Sequence, residues 1–347
     1  MLQLQSAFGV VALLAIAWIL GENRRAVSIR QAAIGLGVTL VTALVLIKVP
    51  LVAKAFAAIN DAVSTIAAAS RAGTSFVFGY LGGGTLPFDL KVSGADFILA
   101  FQALPIILVM TGGMAGIAGT VLVLYATLLA PLIPDAAAHF VIASVLGAPA
   151  AILVSLIMVP ETSGKRTGGM LEEPDIHASS TMDAIVKGTT AGLELLLNII
   201  AMLLVLVALV YLANAILGLL PEIGGAKISL QRLLGYLMAP VCWLLGLPWP
   251  QAITAGSLMG TKTVLNELIA YVEFSKLGAD ALDPRSRLIM LYAMCGFANF
   301  ASLGIMIGGL GTMAPERREE INALGLKSIV SGTLATCLMG AIVGVMT

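Results

Sequence analysis

Charge is what this sequence has least of. Lys and Arg supply 19 of its 347 residues and Asp and Glu another 19, so 11% of the chain is charged while 59% is hydrophobic. Soluble domains carry about 25% charged residues, and a mean hydropathy of +1.02 excludes that class. The formal net charge is zero, which argues against nucleic acid as a partner. Histidine occurs twice. His139 begins an apolar span and His177 lies in a polar loop, and neither stands in the constellation an intramembrane hydrolase needs. The chain is therefore not read as an enzyme, and no cofactor is expected. The 3 cysteines, Cys242, Cys295 and Cys337, lie in apolar segments without metal-ligand spacing and read as small hydrophobes.

What the chain has is long apolar runs, each long enough to approach the ~20 residues of a membrane span. Spans are expected over about 8–20, 32–49, 140–159 and 329–345, with a longer apolar helix at 188–220 carrying Glu194, Asn198 and Asn214. The first run lacks a basic leader and a cleavage site, so it reads as a retained span. Residues 51–79 mix Lys54, Asn60, Asp61 and Arg71 with alanines and read as interfacial. Residues 97–134 contain no charge, and two crossings are expected there, joined near Thr111-Gly-Gly113. The basic loops Arg24/Arg25/Arg30, Lys165/Arg166 and Arg317/Arg318 are expected on the cytoplasmic side.

Against this background two polar stretches stand out. Ile253 to Tyr271 contains Gly260-Thr-Lys-Thr-Val-Leu-Asn-Glu267, and Met294-Cys-Gly-Phe-Ala-Asn-Phe-Ala-Ser302 follows after a polar interval. An ionisable group within a bilayer costs about 2.5 kcal/mol or more, so Lys262 and Glu267 mark function by default. Glycines and small polar residues around them suit helices that break in mid-membrane and line a polar cavity. Counting crossings between the basic loops makes 253–272 re-entrant, entering and leaving from one side. Met110-Thr-Gly-Gly-Met-Ala-Gly-Ile-Ala-Gly119 resembles 294–302, as an inverted repeat would. The first copy, however, is preceded by a plain apolar span, Phe97 to Val109, where the second has the polar hairpin.

Each polar residue also has a plainer reading. Glu267 could form a structural ion pair with Lys262, and Asn299 and Ser302, three apart on one helix face, could serve interhelical hydrogen bonds. Lys262 is expected to anchor the hairpin tip to backbone carbonyls. Glu194 and Asn198 read as polar packing between helices.

The residues of 260–271 and 295–302, with Glu22-Asn-Arg-Arg25, Met158-Val-Pro-Glu-Thr162 and Gly308-Gly-Leu-Gly-Thr-Met-Ala-Pro315, resemble the concentrative nucleoside transporter family over almost the whole chain. The resemblance implies an all-α polytopic membrane protein, an inverted-repeat transporter with a re-entrant hairpin and discontinuous helices. It implies a homotrimer in a bacterial inner membrane, taking up nucleosides with sodium or protons by alternating access. It divides the chain into a scaffold part, 1–96, a first repeat, 97–187, a second scaffold part, 188–250, and a second repeat, 251–347. Glu267, Asn299 and Ser302 would bind the ribose hydroxyls, with Asn266 beside them, Phe297 near the nucleoside and Val121 near the base. Gly116 and Ile117 would give a partial cation site; no metal beyond sodium is implied.

Two departures bear on function. The family's first hairpin carries a Gly-Gln-Thr-Glu-Ala-Pro-like motif, and nothing like it occurs here: Pro105 to Val109 runs directly into Met110-Thr-Gly-Gly113. Gly116 stands where a Ser side chain can contribute to the cation site. A transport-deficient relative, or a transporter of another small polar solute, is the alternative.

Overall fold

The computed structural model describes residues 1–90, 97–102, 104–105, 118–160, 179–222, 225, 227–278, 280–300, 302–303, 306–307, 310 and 317–347. Among these there is no strand. The helices are α1 (Leu2–Leu20), α2 (Ile29–Lys48), α3 (Pro50–Phe78), α4 (Ala118–Leu129), α5 (Ala136–Met158), α6 (Thr181–Leu217), α7 (Leu230–Leu244), α8 (Trp249–Val264), α9 (Glu267–Ser275), α10 (Pro284–Met294) and α11 (Arg318–Met346). Among the described residues five stretches are long and apolar enough to cross a membrane: α1, α2, α5, the Thr181–Ala201 part of α6, and α11. Five of the expected spans thus have a helix, several of which begin earlier than hydropathy suggests; the two crossings expected within 97–134 are not among them, and that stretch lies partly outside the described residues. Capping moves the starts. Ser28 accepts from the Gln31 N–H at 3.3 Å, so α2 begins at Ile29. Charged Arg317 and Glu320 pair across the first turn of α11 at 2.9 Å, which lets that helix begin outside its apolar run.

The chain forms two compact units. One comprises Met1–Ala55, His139–Thr162 and Ala208–Thr347. Its centre is the second half of α11, where Leu334 to Gly344 are buried without interruption. A helix that is apolar all round belongs in a core. Small residues let its neighbours approach, as in other membrane bundles. A Cβ on Gly340 would lie 3.1 Å from Ala293 of α10, and one on Gly9 of α1 would lie 1.7 Å from the Leu244 carbonyl oxygen. Arg285 closes one end of this unit. Its guanidinium donates to Gly246 O at 2.6 Å, Gly344 O at 2.6 Å and Ser6 Oγ at 2.9 Å, tying α1, the α7–α8 turn and the end of α11 together. At that turn α7 and α8 are bent against each other by 119°, with Gly246 at φ +105°, a conformation that favours glycine.

The other unit comprises Phe56–Ala138 and Ser163–Val207. Within it Thr74 Oγ1 donates to Gly82 O at 2.9 Å and the Phe78 and Phe101 rings meet at 5.0 Å, which fixes the turn after α3. Leu124, Tyr125 and Leu129 of α4 are buried. The turn expected at Thr111–Gly113, the first copy of the repeat over 110–117 and the junction at Val109 lie outside the described residues.

Candidate functional site

The site begins with a helix that cannot continue. α8 enters behind Pro248 and Pro250, suited to a helix start, and stops at Leu265, whose backbone (φ −96°, ψ −95°) leaves the helical region. Asn266 is extended, and its side chain accepts from the Ile269 N–H at 2.9 Å, which starts α9. The two helices then fold back on each other. Thr261 Oγ1 donates to Glu273 Oε2 at 2.9 Å, across twelve residues that one straight helix would hold about 18 Å apart. α8 and α9 are therefore a hairpin with its tip at 265–266. Tyr271, fully buried, donates to Leu291 O at 2.9 Å and packs edge-on against Phe140 at 5.2 Å, pinning the returning arm.

The second half of the site repeats this logic. α10 starts at the Asp283 cap, which accepts from the Ser286 N–H at 2.8 Å, and ends at Cys295. Residues 295–298 are not helical. Asn299 restarts the helix: its Oδ1 accepts from the Ser302 N–H at 2.7 Å, and its carbonyl accepts from the Leu303 N–H at 3.1 Å. The broken stretch lies tight against α11, for a Cβ on Gly296 would sit 2.6 Å from Thr336 and one on Gly332 2.8 Å from Ala298.

The two breaks meet. Asn299 Nδ2 donates to Glu267 Oε2 at 2.8 Å, with Asn299 fully buried and Glu267 5% exposed. Glu267 is the first residue of α9, where the positive end of the helix dipole favours a carboxylate. A hydrogen bond to a charged group contributes about 1.5–3 kcal/mol. A carboxylate oxygen accepts more than one hydrogen bond, so Glu267 can hold Asn299 and also receive hydroxyl donors.

Of the residues singled out from the sequence, Glu267, Asn299 and Ser302 come together. Asn266 lies beside them with its side chain committed to the α9 cap. Phe297, in the unwound stretch, is 65% exposed. With Asn299, Ser302, Cys295, Ser328 and Thr336, Phe297 lines a cavity of about 350 Å³, of which Glu267 and Asn266 are not walls. Val121 lies on α4 with its side chain outside the described residues, as are Gly116 and Ile117 altogether. Lys262 is fully buried, and its Nζ donates to Thr336 Oγ1 of α11 at 3.2 Å rather than to carbonyls at the hairpin tip. His139, at the start of its apolar span, has its Nδ1 3.0 Å from the Tyr292 hydroxyl. Neither that pair nor Thr261–Glu273 leaves a mark in the sequence, because each partner alone is an unremarkable polar residue.

This arrangement has relatives. Residues 139–344 match the family model described as Na+ dependent nucleoside transporter C-terminus, and residues 8–81 match its N-terminus counterpart. The chain belongs to this nucleoside transporter family. It is 40% identical over 240 residues to the uncharacterized transporter YutK of Bacillus subtilis, an alignment spanning 68% of this chain and 58% of that protein. It is 32% identical to an uncharacterized transporter of Haemophilus influenzae (98% of this chain, 97% of that protein), and 28% identical to the putative nucleoside permease NupX of Escherichia coli, with 98% of each covered. Its fold superposes on CNTnw in an inward-facing substrate-bound state with a TM-score of 0.85, at 28% identity over 99% of this chain and 98% of that one. A CNTnw variant in an outward-facing state gives 0.86 at 27% identity. The Haemophilus alignment runs over 413 positions, 66 more than the 347 residues of this chain, so at least that many positions of the relative face a gap here. The two family matches leave 82–138 between them.

Proposed function

We propose that this membrane protein binds nucleosides through the ribose, with Glu267, Asn299 and Ser302 receiving the vicinal hydroxyls, Asn266 beside them, Phe297 against the nucleoside and Val121 near the base. The observation that carries this is the buried 2.8 Å contact between Glu267 and Asn299 at two opposed helix breaks. A carboxylate accepts two hydroxyl hydrogen bonds at once, which suits a diol. The activity the site belongs to is cation-coupled nucleoside uptake by alternating access across a bacterial inner membrane. Sodium, with Gly116 and Ile117 holding part of its site, is the ion the family's description favours; replacing sodium by choline, or imposing a proton gradient alone, distinguishes it from a proton. In this reading 97–187 and 251–347 move substrate, while 1–96 and 188–250 form the scaffold of a homotrimer, whose subunits native mass spectrometry in mild detergent counts.

The test is competition. Uridine should displace labelled uridine, and 2′,3′-dideoxyuridine, which lacks the diol, should do so at least about tenfold less well, the equivalent of one charged hydrogen bond. Equal displacement would turn the reading toward another polar solute. A second reading, a relative that binds but does not couple, is favoured by the 66 or more positions of the Haemophilus protein without a counterpart here.

A further inference from the structure

A second cavity, of about 610 Å³ and lined by no residue of the hairpin, opens at the end of α1 and the start of α2. Arg24, Arg25 and Trp18 are its polar and aromatic lining, which we call its mouth, and Leu14, Ala33 and Leu36 are among its apolar walls. The mouth is rigidly built. Arg24 donates through Nε and Nη2 to Ile19 O at 3.0 and 2.5 Å, and its guanidinium lies 6.0 Å from the centre of the Trp18 ring. Trp18 Nε1 in turn donates to Arg24 O at 3.0 Å. The turn itself is tied to α5 by Glu22 N–H donating to Met158 O at 2.8 Å, and to α11 by the Glu22–Lys327 ion pair.

Among the described residues no acidic side chain pairs with Arg24 or Arg25. A guanidinium has five N–H donors, and Arg24 uses its Nε and Nη2 groups on one carbonyl. Arg25 is exposed and makes no hydrogen bond or ion pair among the described residues. Glu22 is the one acid in the first 60 residues, and Lys327 already neutralises it. The N-terminus of α2, opening at Ile29 on the cavity wall, adds its positive dipole end. Two arginines without an acidic partner among the described residues therefore line a largely apolar space, with a tryptophan beside them of the kind that marks the membrane interface.

We infer that this cavity holds an anionic phospholipid, its phosphate on Arg24 and Arg25 and an acyl chain along Leu14, Ala33 and Leu36. An inorganic anion would use the arginines and leave the apolar wall empty; a neutral lipid would use the wall and leave the arginines unmatched. The basic loop is read as cytoplasmic, where basic pockets between spans recognise anionic headgroups.

The experiment is native mass spectrometry of the full chain in mild detergent with phosphatidylglycerol or phosphatidylcholine added. The wild type should retain phosphatidylglycerol about fivefold better than phosphatidylcholine, in keeping with the contribution of one surface arginine. Arg25→Gln should remove that preference. Ala33→Trp, which keeps both arginines but fills the wall, should reduce retention of both lipids. Both positions are exposed, so neither change removes a core contact. Equal retention of phosphatidylglycerol by wild type and Arg25→Gln overturns the inference. So does displacement of the lipid by inorganic phosphate from the wild type and Ala33→Trp alike, which would make the site one for a free anion.

Discussion

Both ends of the Asn299 amide are committed: Oδ1 caps the resumed helix at Ser302, and Nδ2 holds Glu267. Asn299→Ala therefore removes a cap, at a cost of about 1 kcal/mol, and leaves a buried carboxylate short of a donor, about 1–3 kcal/mol more. The expected outcome is a lower melting temperature in detergent together with uridine affinity weakened about tenfold or more; unchanged affinity would assign Asn299 to packing alone. At this scale much of the site was legible, because polar side chains are so rare in the chain that Glu267, Asn299 and Ser302 stood out against apolar neighbours. Their pairing was not, since residue type alone offers Lys262 as well as Asn299 as a partner for Glu267. Lys262 has gone instead to Thr336, 74 residues away, a partner that spacing cannot reveal.

The elements of the site are defined by where helices stop. The breaks at Leu265 and Cys295 were readable from Gly, Asn and Thr crowded into apolar surroundings, whereas the latch between Thr261 and Glu273 depends on two arms folding together and was not. Helix starts were misjudged by several residues because caps such as Ser28 extend a helix beyond its apolar run. Support for the hairpin comes from α7, which crosses α8 at a backbone-to-backbone approach. A Cβ on Gly256 would lie 2.4 Å from Gly235 O and 2.8 Å from the Ala239 nitrogen, neither of which can rotate away. Overpacking of a tight contact costs about 1–3 kcal/mol. Gly256→Ala should accordingly lower the melting temperature and the yield of monodisperse protein on size exclusion, whereas Gly278→Ala, at a position with open space around it, should change neither. Equal behaviour of the two variants would remove α7 as the support of the hairpin.

For the whole molecule, the family follows from the matches over 8–81 and 139–344, which leave 82–138 between them. On the second reading proposed above, the chain lacks a base-contacting hairpin and its share of the cation site at Val109–Thr111, and polar groups that lose their partners lower affinity. Uptake separates the two readings: on the second, proteoliposomes carrying the 347-residue chain accumulate little or no labelled uridine under a sodium or proton gradient, and on the first they accumulate it. Inserting a family-like hairpin between Val109 and Thr111 should restore accumulation. Robust uptake by the unaltered chain would mean that one hairpin suffices. The claim beneath all of this is that Glu267 receives the nucleoside, and titration of uridine and adenosine onto wild type and Glu267→Gln tests it most directly. Saturable binding by the wild type is expected, with affinity at least about tenfold weaker in the variant, the equivalent of about 1.5 kcal/mol. Equal affinities, or no binding by the wild type, would contradict it.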